Sequence, residues 1–230
     1  MALVFCDPGV SRIAVARALV GVDAAQSVGK VDLDFTALGV DLLSLSAHKV
    51  YGPKGAGALI VSRRRGVQLT PLLHGGGQER SLRSGTIATH QVVGMGTAFA
   101  LASVETTRER ERIGALRELL WRGISVLGGV CRNGEPSRSV PHILNVSVEG
   151  VEGESLIAAL ETRIAVSTGS ACSSAQREPS YVLRALGRDD RLAESSLRFS
   201  LGRYSSASDI ETAVDAVTQA VRRLRGISGA

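Results

Sequence analysis

Residues 41–55 have the sequence Asp-Leu-Leu-Ser-Leu-Ser-Ala-His-Lys-Val-Tyr-Gly-Pro-Lys-Gly, and the rest of the chain is organised around this stretch. The apolar run from Val40 to Leu45 is short and ends in polar residues, which predicts a buried strand. Lys49 follows the strand, and partial burial of an amine favours the unprotonated form that attacks an aldehyde. Lys49 is therefore a candidate imine-forming residue. For a bare Ser-x-His-Lys pattern, however, a surface lysine at a strand end is the commoner outcome.

The composition is typical of a globular protein with an aliphatic core. Of the 230 residues, 44% are hydrophobic but only 3% are aromatic, so alanine, valine and leucine must fill the interior. The length suits one large domain or two small ones. The net charge of +5 is compatible with nucleic acid or an acidic partner. Because the basic residues are scattered and no aromatic residues interleave with them, we expect a solvated surface and no nucleic-acid partner.

The three cysteines, Cys6, Cys131 and Cys172, indicate a reducing compartment. Their number is odd and no Cys-x-x-Cys occurs, which argues against a disulfide framework and a structural zinc site. The N-terminus lacks the basic segment of a signal peptide. Residues 84–104 carry no Asp, Glu, Lys or Arg, but their polar and glycine content favours a loop and a buried helix over a membrane span. We therefore expect a cytoplasmic protein with no membrane partner.

Strand-like and helix-like segments alternate along the chain, which is typical of the α/β class. Strands are predicted at 20–23, 42–46, 57–61, 142–148, 164–167 and 197–201. Helices are predicted at 90–103, 113–127, 154–162, 179–187 and 208–224. The helix at 90–103 is apolar nearly all round and is therefore expected to be buried. The last helix has the clearest signals, because Ser208 and Glu211 predict a capping box and Gly226 predicts its end.

The composition changes abruptly at the charged run Arg108-Glu109-Arg110-Glu111-Arg112. We place a domain boundary near this run, which divides the chain into residues 1–106 and 107–230. Within the first part, three consecutive glycines at 75–77 predict a flexible loop, since glycine holds regular structure poorly.

Several groups of polar residues together resemble one enzyme family. In chain order they are Asp23 with Gln26, Ser46-Ala47-His48-Lys49, Arg83-Ser84-Gly85-Thr86, Ser167-Thr168-Gly169-Ser170-Ala171-Cys172-Ser173-Ser174, and Arg198. The stretches 23–30, 74–77 and 178–187 strengthen the match, which extends from about Val22 to Leu224. On these residues the chain resembles the cysteine desulfurases of the NifS/IscS type, within the class V aminotransferase family of pyridoxal-phosphate enzymes.

The resemblance implies a site for pyridoxal 5'-phosphate. Lys49 would bind the cofactor covalently and then act as general base and acid. Asp23 would keep the ring nitrogen protonated, and Gln26 would hydrogen-bond the phenolic oxygen. The phosphate would be bound by Ser46, Ala47 and His48, with Thr86 reaching the cofactor of a second subunit in a homodimer. Taken alone, these Asp, Ser and Thr residues fit ordinary turns and caps.

The resemblance also implies the conversion of L-cysteine to L-alanine. Cys172 would attack the substrate sulfur and carry a persulfide to an acceptor, and its Ser, Gly and Ala neighbours suit a mobile loop. Cys131 is expected to be structural. Arg198 would bind the substrate carboxylate. The length of the Cys172 loop resembles that of group I desulfurases, which supply a scaffold protein in iron–sulfur cluster assembly, and Cys172 would there be a transient cluster ligand.

The implied fold is the C-terminal half of a fold-type I pyridoxal-phosphate transferase. Residues 1–106 would be a remnant of the large, mostly parallel-sheet cofactor domain, with 1–20 unmatched, and residues 107–230 the small α/β domain. The family's Gly-Ala-Thr phosphate loop, ring-stacking histidine and asparagine have no counterpart here. We therefore expect a truncated reading frame, a misplaced start or a fragment, with weak or no activity. The alternatives are a remnant that only dimerises or binds a partner, and another class V enzyme such as a selenocysteine lyase.

Overall fold

The chain forms two compact units in a computed structural model that describes residues 19–63, 67–168 and 179–228. The first unit comprises residues 1–106 and the second comprises residues 107–230. None of the described helices combines the length and the apolarity that crossing a lipid bilayer requires.

The first unit is built on a sheet of three short strands. β1 (Gly21–Asp23) pairs in parallel with β2 (Leu42–Ser46), and β2 pairs antiparallel with β3 (Gly57–Val61). A single-turn helix, α1 (Phe35–Leu38), lies between β1 and β2 along the chain. The strands predicted at 42–46 and 57–61 are confirmed with the same bounds, because short runs of Leu, Ile and Val suit a pleated, half-buried surface.

Asp41 is a fully buried carboxylate at the start of β2. Its Oδ2 accepts a hydrogen bond from the Val20 N–H at 2.9 Å. Its backbone N–H donates to the Val20 carbonyl, and its carbonyl accepts from the Ser62 N–H at 2.8 Å. Since a buried charge is tolerated only when it is well hydrogen-bonded, Asp41 ties the start of β2 to the segments flanking β1 and β3.

A long helix, α2 (Thr89–Ser125), spans both segments that were predicted as separate helices at 90–103 and 113–127. The charged run at 108–112 does not interrupt it, because arginine and glutamate are strong helix formers. The boundary between the two units falls inside this helix, between Thr106 and Thr107.

The part of α2 that belongs to the first unit is largely exposed. Ala98 and Ala102 are buried, whereas Val93 and Val104 are 69% and 77% exposed. The prediction of a helix here is confirmed, but the prediction that it is buried is wrong for this unit. The reason is geometric, because the rest of the unit packs only against a narrow stripe of small residues on the helix. Gly52 meets this stripe closely: a Cβ on Gly52 would lie 3.1 Å from the Ala98 Cβ.

The second unit contains an antiparallel sheet in the order β4 (Val130–Arg132), β5 (Ile143–Val148), β6 (Ser196–Ser200). Its further helices are α3 (Gly153–Leu160), α4 (Tyr181–Ala185), α5 (Asp190–Glu194) and α6 (Ala207–Ser228). One aliphatic core joins α2, α3 and α6 to the sheet, and includes Ile113, Leu120, Ile124, Leu144, Val146, Leu156, Leu197, Val217 and Val221. The strand predicted at 164–167 is present only as an isolated bridge between Ser167 and Arg198.

The N-terminus of α6 differs from the predicted one by two residues. The N–H and hydroxyl of Ser206 donate to the Asp209 carboxylate, and the Asp209 N–H donates back to the Ser206 hydroxyl. These hydrogen bonds from Ser206 lower the pKa of the Asp209 carboxyl. The capping box is therefore Ser206 with Asp209, and the prediction of Ser208 with Glu211 is wrong. The helix also continues past Gly226, because an exposed glycine weakens a helix without ending it.

Replacing Ser206 with alanine is expected to lower the free energy of unfolding by about 1 kcal/mol, the usual value of a lost N-cap. Ser208→Ala is the matched control and should cost nothing, since Ser208 is exposed inside the helix and alanine is the better helix former. Urea denaturation followed by the fluorescence of Trp121, the one tryptophan of the chain, measures both. A loss in Ser208→Ala with none in Ser206→Ala would instead assign the cap to Ser208.

Candidate cofactor-binding site

Asp23 is anchored at the carboxyl end of β1, next to the parallel strand β2. It lies opposite Ser44 in the strand register. Its Oδ1 accepts hydrogen bonds from the Ser44 hydroxyl at 3.1 Å and from the Ala25 N–H at 2.9 Å. The side chain is otherwise exposed, so Oδ2 can accept a hydrogen bond from a ligand. An anchored carboxylate at the carboxyl edge of parallel strands is typical of ligand sites in α/β sheets.

Lys49 lies in a 3-10 turn, Ala47–Val50, that directly follows β2. Ala47 is fully buried, and its carbonyl accepts a hydrogen bond from the Gly52 N–H at 2.9 Å. A Cβ on Gly52 would lie 2.9 Å from that carbonyl oxygen, which explains the glycine. The turn leaves Lys49 half-buried and His48 exposed. The predicted order of strand, turn and lysine is therefore present, with Lys49 just beyond the carboxyl end of β2.

The loop after β1 packs against the turn that carries Lys49. Two successive turns shape this loop, with the Ser27 N–H donating to Ala24 and the Lys30 N–H donating to Ser27. Gly29 has a positive φ of 69°, and a Cβ on it would lie 2.7 Å from Val50 Cγ1. Only glycine allows so close an approach in this conformation.

Gln26 and Lys30 form a hydrogen-bonded pair in this loop. The Lys30 ammonium donates to Gln26 Oε1 at 3.0 Å. Burial lowers the pKa of Lys30, and the positive charge of Lys49 lowers it further. No role was predicted for Lys30. It is the last residue of the matching stretch at 23–30, and that stretch could have identified it as a candidate site residue.

Thr86 lies in a different part of the first unit, in the loop before α2. Gln78 Oε1 accepts a hydrogen bond from the Gly85 N–H at 3.2 Å, which braces this loop. A 3-10 turn at Gln78–Ser81 contains three residues with positive φ, so part of the segment predicted to be irregular has a defined turn. Thr86 is exposed, and among the described residues no hydrogen bond joins it to Asp23 or Lys49.

Arg198 lies on β6 in the second unit, opposite Asn145 of β5. Its backbone N–H donates to the Ser167 carbonyl at 2.6 Å, and the Ser167 N–H donates back to its carbonyl. The side chain is half-buried, and within the described parts of the chain its buried Nε has no hydrogen-bond partner. A guanidinium with an unused donor is suited to a carboxylate.

Cys172, the predicted nucleophile, lies outside the described residues, five positions after Ser167. Cys131 is a half-buried free cysteine on β4. No cluster of three or more His, Cys, Asp or Glu side chains arranged for a metal ion occurs within residues 19–63, 67–168 and 179–228.

Comparisons with known proteins identify the family of the chain. The family model described as aminotransferase class V matches residues 9–213. The match therefore begins before Val22, where the resemblance was expected to begin. The cysteine desulfurase IscS of Methylococcus capsulatus is 56% identical over 207 residues, which are 90% of this chain and 51% of that protein. The IscS of Aeromonas hydrophila is 56% identical over 212 residues, 92% of this chain and 52% of that protein.

Solved structures with a similar fold are NifS-like proteins. A NifS-like protein aligns with a TM-score of 0.79 and 35% identity, covering 90% of this chain and 53% of the other. The NifS-like protein of Rickettsia africae aligns with a TM-score of 0.78 and 28% identity, covering 89% and 54%. The chain spans about half the length of the curated relatives it matches. It has the α/β fold of NifS-like proteins over that half, and it belongs to the class V aminotransferase family.

Proposed function

We propose that this chain provides the cofactor-binding lysine and the sulfur-accepting cysteine of a cysteine desulfurase, which converts L-cysteine to L-alanine. One observation carries the proposal. An anchored carboxylate, Asp23, and a half-buried amine, Lys49, lie at the carboxyl ends of two adjacent parallel strands. They do so in a chain that is 56% identical to proteins named cysteine desulfurase.

The described residues fit pyridoxal 5'-phosphate. When bound, it supplies an aldehyde that reacts with amines and a ring that withdraws electrons from the α-carbon of the substrate. Lys49 offers the amine, and Asp23 offers a carboxylate oxygen to a protonated ring nitrogen.

The remaining residues of the turns complete the assignment. Gln26 donates its amide to the phenolic oxygen of the cofactor. Ser46, Ala47 and His48 bind the phosphate from the turn after β2. Thr86, which has no hydrogen bond to the described site of its own chain, serves the site of a second copy in a homodimer.

The chain's own groups would carry out the reaction in a defined order. Arg198 binds the substrate carboxylate, and Lys49 removes the proton from the α-carbon. The Cys172 thiolate attacks the substrate sulfur, so that a sulfur–sulfur bond forms as the carbon–sulfur bond breaks. The electron pair of the broken bond stays with the β-carbon, which gains one proton to become the methyl group of alanine. Cys172 keeps the sulfur as a persulfide.

The two units have distinct tasks in this proposal. Residues 1–106 are the cofactor-binding part, and residues 107–230 are the part that carries Arg198 and Cys172. The persulfide passes to a sulfur-acceptor protein, such as a scaffold for iron–sulfur clusters. Cys172 would bind the cluster transiently on that scaffold. This chemistry suits the cytoplasm, where thiols stay reduced.

Incubation of the purified chain with pyridoxal phosphate, L-cysteine and dithiothreitol tests the proposal. We expect a visible absorbance band from bound cofactor, together with alanine and sulfide in equal amounts. Cofactor binding without sulfur release would point to another class V activity. Absence of binding would point to a chain that only dimerises or binds a partner.

Arg198→Ala is expected to raise the half-saturating concentration of L-cysteine about 100-fold, because two charge-assisted hydrogen bonds are lost. Arg198→Lys should raise it about tenfold, since one ammonium group cannot replace a planar fork. Titration of the bound-cofactor absorbance with L-cysteine measures both values.

The matched control for this prediction is Arg191→Ala, which removes an exposed arginine of α5 in the same unit. It should leave the half-saturating concentration unchanged. A similar weakening in Arg198→Ala and Arg191→Ala, with none in the charge-conserving Arg198→Lys, would show that Arg198 acts through the net charge of the protein and does not contact the substrate.

A further inference from the structure

The side chain of Lys30 contacts one atom of the Gln26 side-chain amide. The two residues form a hydrogen bond of 3.0 Å between the Lys30 ammonium and Gln26 Oε1. An ammonium group has donors only, and an amide has an acceptor oxygen and a donor nitrogen. Only Oε1 can therefore face Lys30, and Nε2 is directed to the other side of the amide.

The residue before Lys30 packs closely against the turn that carries Lys49. Gly29 approaches Val50 so closely that a Cβ would lie 2.7 Å from Val50 Cγ1 and 3.3 Å from the Ala102 Cβ. Val50 is the residue after Lys49, so this contact brings Lys30 beside the candidate cofactor lysine. The lowered pKa of Lys30, caused by burial and by the charge of Lys49, agrees with this placement.

We propose that Lys30 is a positioning residue of the site: it holds Gln26 with Oε1 turned towards itself and Nε2 presented to the ring oxygen of the cofactor. The proposal rests on the proposed function for the identity of the ligand. The ionised ring oxygen of pyridoxal phosphate can only accept hydrogen bonds, so an amide that turned its oxygen towards it would repel it. Without Lys30 the amide rotates between both faces, and part of the bound population presents the wrong atom.

An ordinary surface lysine would behave differently from a positioning residue. Lys54 provides the comparison, because it is an exposed lysine in the turn between β2 and β3. Removing its charge changes the net charge of the protein as much as removing that of Lys30. A general electrostatic effect would therefore appear in both variants, whereas an effect on the Gln26 amide would appear in one.

The test compares Lys30→Met, Lys30→Arg and the control Lys54→Met in the full chain. The first readout needs no cofactor: the side-chain amide signals of Gln26 in a nitrogen-15 proton NMR spectrum, assigned with Gln26→Asn. We expect Lys30→Met to shift these signals towards the values of free glutamine, while Lys30→Arg, which keeps a donor, and Lys54→Met leave them near the wild-type positions.

The second readout is the dissociation constant of pyridoxal phosphate, measured by absorbance titration. We expect an increase of about fivefold in Lys30→Met, as for the loss of one hydrogen bond, and less than twofold in the other two variants. Dispersed backbone amide signals show that a variant is folded, and Lys30→Ala replaces Lys30→Met if the latter is not.

The outcomes separate this proposal from the proposed function. Unchanged Gln26 signals in Lys30→Met would overturn the positioning role, as would equal weakening of cofactor binding in Lys54→Met. If the wild-type chain does not bind pyridoxal phosphate, the proposed function fails, and the Gln26 signals alone then decide whether Lys30 orients the amide.

Discussion

Replacing Lys49 with alanine is expected to abolish covalent capture of pyridoxal phosphate by this chain. Lys49 is the half-buried amine at the carboxyl end of β2, and no other group replaces both its bond to the aldehyde and its proton transfer. Loss of a general base alone costs a factor of about 10² to 10⁴ in rate. Borohydride reduction followed by peptide mass analysis measures the captured cofactor, and alanine release measures turnover.

Lys54→Ala is the matched control for Lys49. Lys54 lies five residues further on and is exposed, and its contact with the fold uses its backbone carbonyl, which accepts a hydrogen bond from Gln91 at 3.0 Å. The Lys54→Ala variant should capture as much cofactor as the wild type. Capture that persists in Lys49→Ala, with the label on Lys30 or Lys54, would disprove the assignment of Lys49.

Replacing Cys172 with alanine is expected to eliminate the persulfide while leaving cofactor capture intact. The thiolate is the only proposed acceptor of the substrate sulfur, so its loss stops transfer altogether, whereas the amine of Lys49 is untouched. Alkylation of the chain after exposure to L-cysteine, followed by mass analysis, should find one additional sulfur per wild-type chain and none in the variant.

Cys131→Ser is the control for this prediction. Cys131 is half-buried on β4, opposite Ser147 of β5, and we expect it to have no role in sulfur transfer. The variant should form as much persulfide as the wild type. Persulfide on Cys131 in the Cys172→Ala protein would show that Cys131, and not Cys172, accepts the sulfur.

The local sequence predicted the elements of the first unit well. β2 and β3 have the predicted bounds, because each is a short apolar run bounded by polar or turn residues. The helices predicted on either side of the charged run at 108–112 are one helix, since helix propensity continues through the run. The cap of α6 was misplaced by two residues, because Ser206 with Asp209 and Ser208 with Glu211 have the same spacing and only the hydrogen bonds distinguish them.

The burial of α2 could not be predicted from its composition. An apolar sequence shows that a helix can be buried, but not which surfaces meet it. In the first unit only the stripe with Ala98 and Ala102 is covered. The valines of the same segment are exposed because no neighbouring element of the described residues covers them. Apolar periodicity shows that a helix face can be buried, and the neighbouring elements decide whether it is.

The sequence by itself determined the chemical groups of the site and their order along the chain, because strand, turn and lysine are adjacent residues and follow local rules. Only the tertiary structure decided which groups meet. The approach of Gly29 to Val50 joins the loop of Lys30 to the turn of Lys49, and a bridge joins Ser167 to Arg198 of β6. Contacts between residues 20 or 30 positions apart depend on close packing of whole elements, which no local pattern encodes.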